Sequence, residues 1–383
     1  MRSRGDCTIL PVVTSTEAYI ALNMLPNIGP VRVRALLEAF GEPQAILSAG
    51  ASQLKKVHGV GEEVAQSIAR WRELADLNGE LKRIDKHGAH VLTQQDAAYP
   101  AHLKEIASPP LVLYVQGRLD PRDNRSVAIV GSRRTTHYGR EAAQRLAIQL
   151  AHCGLTIVSG GARGIDTAAH EGALKIKGRT VCVFGAGLDV IYPPENKDLF
   201  DQIAGNGALL SEFPFGTKPD KQTFPMRNRI VSGMSLGLLV VEAGTNSGAL
   251  ITAQMALEQG RQVFAVPGRI DSPLSRGTHR LIKEGAKLVE DAEDILGEFE
   301  YLFASRERKP GAFAPSANPA ANLSETESKL YAHVGNDETG IDELIHASGL
   351  TSAVVSATLL ALEMKKLVKQ FPGKRFARMF PIE

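Results

Sequence analysis

The chain has 383 residues, 43% of them hydrophobic, enough for two or three domains with cores of their own. Charged residues make up 22% and the formal net charge is only +2, so the total does not announce a nucleic-acid partner and any such case must come from local clustering. An odd count of cysteines (Cys7, Cys153, Cys182) without C-x-x-C spacing points to a reducing compartment, and no apolar run has the length of a signal segment or a membrane span, so a cytoplasmic chain is expected.

Residues 15–85 read as helical. LPNIGPVRVRALLEAFG and VHGVGEEVAQSIARW each place a glycine turn before an amphipathic helix, the pattern of paired helix-hairpin-helix units or a SAM-like bundle. Such turns grip phosphates through backbone N–H groups, or they simply pack, and spacing does not separate the two. Trp71 and Phe40 are expected in the core.

Residues 90–300 alternate strands and helices. The strands are VAIVG (127–131), LTIVSG (155–160), TVCVFG (180–185), ALLSEF (208–213), LGLLVVEAG (236–244) and QVFAVPG (262–268), with LVLYVQG (111–117) as a further one. They are apolar without alternation, so both faces should be buried, as in an α/β domain with an extended Rossmann-like, doubly wound parallel sheet. Cys153 and Cys182 fall in apolar segments and read as small core residues. Residues 303–322, rich in Pro, Ala, Ser and Asn, read as a flexible linker. From 323 to 383 three helical segments and a basic hairpin, VKQFPGKRFARM, resemble a winged-helix domain. Lys365, Lys366, Lys369, Lys374 and Arg375 would serve either an accessory duplex contact or an ordinary solvated basic tail.

Ligands of an open α/β sheet bind beyond the carboxyl ends of its strands. The loops there carry Arg133 and Arg134 (GSRRTTHYG), Arg163 (SGGARGID), Lys221, Phe224, Arg227, Asn228 and Arg229 (KQTFPMRNR), and Arg269, Arg276 and Arg280 (PGRIDSPLSRGTHR). TNSGALITA adds a second small-residue turn entering a helix. Between Pro214 and Ser232 the only carboxylate is Asp220. Basic groups in successive loops beside two N–H-presenting turns form a phosphate surface wider than a mononucleotide needs. A stacking face on Phe224 would favour unpaired bases, hence a single strand.

Plainer readings stay open beside these. SGGARG is also a way to tighten a strand–helix turn, Phe224 beside Pro225 fits a buried ring, and Arg227 and Arg229 have Glu212 and Glu242 as available internal partners. Asp166 and His170 are four apart on a helix, but no third metal ligand presents itself. GARGID and GAGLDV are not G-x-G-x-x-G, and GSRRTT lacks a P-loop lysine, so neither a nicotinamide cofactor nor an NTPase is expected. EAGTNSGA looks like a distant form of the phosphoribohydrolase loop, with Glu242 as its conceivable base, but the loop lacks the final acid.

YPAHLKEIASPPLVLYVQG, VAIVGSRRTTHYG, IVSGGARGIDTAAH, GLDVIYPPEN, LLSEFPFGTKP, FPMRNRIVSG, EAGTNSGALITA and VPGRIDSPLSRGTHRLIKEGA occur in this order. Together they resemble the DprA (Smf) family, the DNA-processing proteins of bacterial transformation, over nearly the whole chain. The resemblance implies a non-enzymatic protein without cofactor or metal. It would bind single-stranded DNA, displace single-strand-binding protein, load the RecA recombinase and form a homodimer through the Rossmann-like domain. It places the strand-binding pocket on Arg133, on Ser159, Gly160, Gly161, Arg163 and Gly164, on Lys221, Phe224, Arg227, Asn228 and Arg229, and on Ser247, Gly248 and Ala249.

Overall fold

A computed structural model describes residues 13–299, 323–335, 337–365 and 367–379. The expected linker lies outside these residues, as do Cys7 and Lys366.

All seven apolar runs form strands: β2 (Val112–Gly117), β3 (Ser126–Val130), β4 (Thr156–Ser159), β5 (Thr180–Val183), β6 (Ala208–Ser211), β7 (Gly237–Val240) and β8 (Gln262–Ala265). Two more were not read from the sequence, β1 (Ala89–Thr93) and the two-residue β9 (Lys287–Leu288). The nine strands lie in the order β1-β2-β6-β5-β4-β3-β7-β8-β9. From β6 to β9 the ladder is parallel, whereas β2 runs against β6 and β1 against β2, so one edge departs from the expected parallel sheet.

Strand side chains alternate between two faces. Ala128, Val130, Val181 and Val183 point into one core, beneath the helices Thr223–Gly233, Gly248–Glu258 and Arg276–Lys283. Val127, Ile129 and Ile157 point into another, beneath His137–His152 and Ile165–Lys175. Burial on both faces is why these strands read as unbroken apolar runs.

The N-terminal helices, Ser15–Met24 through Leu77–Lys86, cover the antiparallel end of the sheet. Their core residues Ile20, Leu36, Ile46 and Ile68 share one cluster with Tyr114, Phe200 and Phe215, so this layer has a packing role. Trp71 is buried, its indole N–H donating to Leu47 O at 3.2 Å, while Phe40 is only partly covered. Cys182 is buried and Cys153 half-buried. The layer is fastened by the fully buried Glu80, which accepts from Phe215 N–H at 2.9 Å and pairs with Arg83 at 2.9 Å.

In the C-terminal region three helices, Glu325–His333, Ile341–Ser348 and Ser352–Met364, pack on a small sheet of β10 (Thr339–Gly340), β11 (Val368–Phe371) and β12 (Arg375–Arg378), the expected winged-helix layout. Two of its cations are already paired, Lys365 with Glu327 at 2.7 Å and Arg375 with Glu338 at 3.4 Å, which leaves less charge for a duplex than the sequence suggests. The unit touches the Rossmann-like layer through Asp337 on Arg269 (2.8 Å) and Phe371 edge-on to His137. Among the described residues no single helix is long and apolar enough to cross a membrane.

Replacing Glu80 with Ala leaves the buried Phe215 N–H and the Arg83 guanidinium without their acceptor. A loss of about 1–3 kcal/mol is expected, read as a lower midpoint in denaturant unfolding; an unchanged midpoint would show that the helical layer is held by apolar packing alone.

Candidate nucleic-acid interface

The chain winds from β3 through β4 and β5 to β6, then returns to the middle and continues through β7 and β8. The reversal lies between β3 and β7, and at such a switch point the loops diverge and leave a crevice. A cleft of about 780 Å3 opens there. It is lined from β3 by Ser132, Arg133 and Arg134, from β4 by Gly160 and Ala162, and from β7 by Thr245, Asn246 and Ser247. Lys221, Phe224, Arg227 and Asn228 on and before the Thr223–Gly233 helix, and Arg276 beyond β8, complete the wall.

The floor answers what the SGGARG turn holds. Its occupant is the chain's own Asp166, whose carboxylate accepts from Ala162 N–H at 3.3 Å and is stabilised also by Gly160 N–H. Asp166 is buried, which pushes its carboxyl up, while Arg227, these N–H groups and Arg133 pull it back. The turn is pinned from the other side by Asn196, donating to Gly161 O at 3.1 Å and to Thr167 Oγ1 at 2.8 Å. Expected as a phosphate cradle, the turn is therefore closed by an internal anion.

Several of the expected contact residues are engaged or enclosed within the fold. Ser159 is fully buried and donates to Ile129 O at 2.6 Å. Gly161 has φ +66°, and a Cβ there would lie 2.6 Å from Cys182 Sγ and 2.8 Å from the Phe200 ring. Gly164, at φ +79°, caps the Ile165–Lys175 helix where a Cβ would overlap Ser132 O. Arg227 is buried, with Nη1 donating to Val183 O at 2.9 Å, and burial lowers its pKa against the pull of Asp166. Its guanidinium fills the space that Gly160 leaves by having no side chain.

The cations of the crest loops thus divide. Arg229 points away from the cleft into a buried ion pair with Glu212, so it is not a free phosphate ligand. Arg163 is exposed but paired with Glu195, outside the cleft lining. Arg269 bridges Asp271 and Asp337, and Arg280 pairs with Glu284. Arg133, Arg134, Lys221 and Arg276 remain, all exposed, all lining the cleft, and in no ion pair with the described residues. Arg134 faces inward, and Arg276 lines the cleft although the resemblance did not place it in the strand-binding pocket.

Phe224 is half-buried and lines the cleft, its ring 4.6 Å beneath the Arg133 guanidinium. Ser247 caps the Gly248–Glu258 helix by accepting from Ala249 N–H at 3.3 Å, which aims the positive end of that helix into the cleft. Nothing stands near the missing Gly248 side chain, so this turn, unlike the first, is open. Asn228 and Asn246 add amides to the wall.

Two other sequence candidates resolve into structure. His170 is fully buried with Nδ1 2.7 Å from Thr180 Oγ1, burial taking its pKa down to about 3. The buried Glu242 carboxylate accepts from Thr136 N–H at 2.9 Å and from the Thr135 and Thr136 hydroxyls at 2.6 and 2.5 Å, so it anchors the loop after β3.

The family model for DNA recombination-mediator protein A matches residues 90–300, the segment that builds the sheet and its cleft. The chain belongs to this family. A DprA winged-helix model matches residues 314–374, and a SAM-like helix-hairpin-helix tandem matches 19–70. The Smf protein of Synechocystis sp. is 36% identical over 397 residues, covering 96% of this chain and all of that one. Among solved structures, DNA processing protein A of Streptococcus pneumoniae superposes with a TM-score of 0.66 at 37% identity, over 74% of this chain and 98% of that one. The DNA processing protein A of Helicobacter pylori, described for its single-stranded DNA binding mode, gives 0.50 at 32% identity over 56% and 96%.

Two glycines in the cleft should respond oppositely to alanine. Gly160→Ala forces the Arg227 guanidinium off Val183 O and should lower stability by about 1–3 kcal/mol, whereas Gly248→Ala, facing open space, should leave the thermal melt within about 0.5 kcal/mol of the parent. Equal melts for the two variants would contradict the account of the floor.

Proposed function

We propose that the cleft grips single-stranded DNA by its backbone, without regard to sequence. On this reading the protein works in the cytoplasm as a homodimer, protects strands entering during natural transformation, displaces single-strand-binding protein and loads RecA. The observation that carries the DNA-binding part is the convergence of Arg133, Arg134, Lys221 and Arg276 on one open cleft while the neighbouring arginines are neutralised internally. Phosphate contacts set register and carry no base identity, which suits a protein that must accept any strand. The open helix N-terminus at Gly248 adds a backbone anion site, and Phe224 offers a ring once Arg133 swings toward a phosphate. A relative from Helicobacter pylori described for its single-stranded DNA binding mode, and the recombination-mediator family, support the DNA-binding part of the reading and a role in DNA processing.

Glu242, the residue that a nucleotide-hydrolase reading would need as its base, is absent from the cleft lining and engaged by Thr135 and Thr136. This supports a non-enzymatic role.

Arg133→Ala and Lys221→Ala should each weaken binding of a labelled oligo-dT and lower the slope of log affinity against log salt by roughly 0.7 per phosphate lost, with melts unchanged. Oligo-dT and a mixed-sequence strand should bind alike. Arg229→Ala should do the converse, lowering stability while keeping the salt slope, because it strands Glu212 in the core. Parental affinity in both Arg133→Ala and Lys221→Ala would overturn the assignment of the cleft.

A further inference from the structure

Beside the cleft, four side chains from three separate loops and one helix stand in a row. Arg133 lies over the Phe224 ring at 4.6 Å, the Phe224 ring is 6.0 Å from the Tyr192 ring at 50°, and the Arg163 guanidinium stands 5.9 Å over Tyr192. The row reads cation, ring, ring, cation, and it leads out of the cleft toward solvent. Tyr192 is 41% exposed, unlike the buried rings of Tyr114 and Phe200 that serve the core.

The space beneath the two rings settles how a ligand would use them. The slot bounded by Tyr192, Phe224, Val190, Phe184 and Pro219 measures only about 20 Å3. That admits about one water and no nucleobase. A base can only lie against the rings from outside, and stacking of that kind is indifferent to base identity because every base has a π-face.

The geometry points to Tyr192 as a second base-stacking position, which extends the strand path from the cleft past Phe224 to a phosphate station at Arg163. This rests on the reading of the cleft as a single-strand site. Arg163 and Glu195 are each about half exposed and meet through two hydrogen bonds; a phosphate offers the same pair of acceptor oxygens, so at this solvated position it can replace Glu195 as the partner of Arg163. The path thus has a resting state in which its outer cation is masked by a carboxylate of the chain.

The test uses the full-length protein and labelled oligo-dT. Tyr192→Ala should weaken binding roughly 5- to 150-fold, the range for one stacked base, and Tyr192→Phe should retain parental affinity. Glu195→Gln should tighten binding about two- to fivefold by unmasking Arg163. Parental binding by Tyr192→Ala, alongside weakened Arg133→Ala, would overturn the second position and leave the cleft standing. Parental binding by both would remove the cleft itself. Equal losses in Tyr192→Phe and Tyr192→Ala would assign the effect to the hydroxyl and overturn stacking. Should Tyr192→Ala fail to fold, ultraviolet cross-linking of the unaltered protein to an oligonucleotide carrying 5-bromodeoxyuridine decides. An adduct on the peptide containing Tyr192 supports the position, and adducts confined to other peptides overturn it.

Discussion

The floor of the cleft depends on one buried carboxylate. Asp166 sits where the turn after β4 gathers its N–H groups, and Arg227 reaches in from the facing helix through the space that Gly160 leaves empty. An uncompensated charge in such a place would be costly, and here several groups share its stabilisation. Arg227 in turn is tied to Val183 O at the end of β5, so a strand, a loop and two helices are joined by one polar cluster. The walls can then be built from exposed cations without loss of shape.

The division of the arginines follows from that arrangement. A crest packed with guanidinium groups would repel itself, and a near-neutral chain has enough carboxylates to quench it. Glu212, Glu195 and Glu284 do so for Arg229, Arg163 and Arg280. The cations left in the cleft form no ion pair with the described residues, and the one carboxylate in the lining, Asp166, is already held by Arg227 and the turn's N–H groups, so much of their field stays available at one opening. Net charge conceals this because neutralisation and concentration take place in different parts of the same rim.

The sequence made the layers legible and the charges only partly so. The runs VAIV, TVCV and GLLV announce strands buried on both faces, and each forms one. AHVLT does not read as one of these runs because His90 breaks its apolar stretch and the strand is half-exposed on an edge, and KL at 287–288 is too brief to carry a period. The antiparallel direction of β1 and β2 leaves no mark in apolar content. For the site, motif position gathers loops that meet around the switch point, but orientation depends on partners far along the chain. Arg229 finds Glu212, Arg163 finds Glu195, and the SGGARG turn finds Asp166 within its own helix. A glycine turn reads the same whether its N–H groups await a ligand or already hold a side chain. Arg276 was visible among the crest cations, yet only the fold separates it from Arg269 and Arg280.

In doubly wound sheets that bind dinucleotides, a compact glycine turn takes the pyrophosphate on clustered N–H groups. Asp166 closes that option at the turn after β4, and what stays open is one helix N-terminus with cations spaced around it. A small nucleotide placed here can satisfy one or two of these groups and must leave the others in water. A polymer whose charges recur along its length can engage them together, each contact adding to an affinity that no single phosphate achieves. On the proposed reading of the cleft, closing the tight site and dispersing the cations are two halves of one selection, in favour of a chain of phosphates over a single nucleotide.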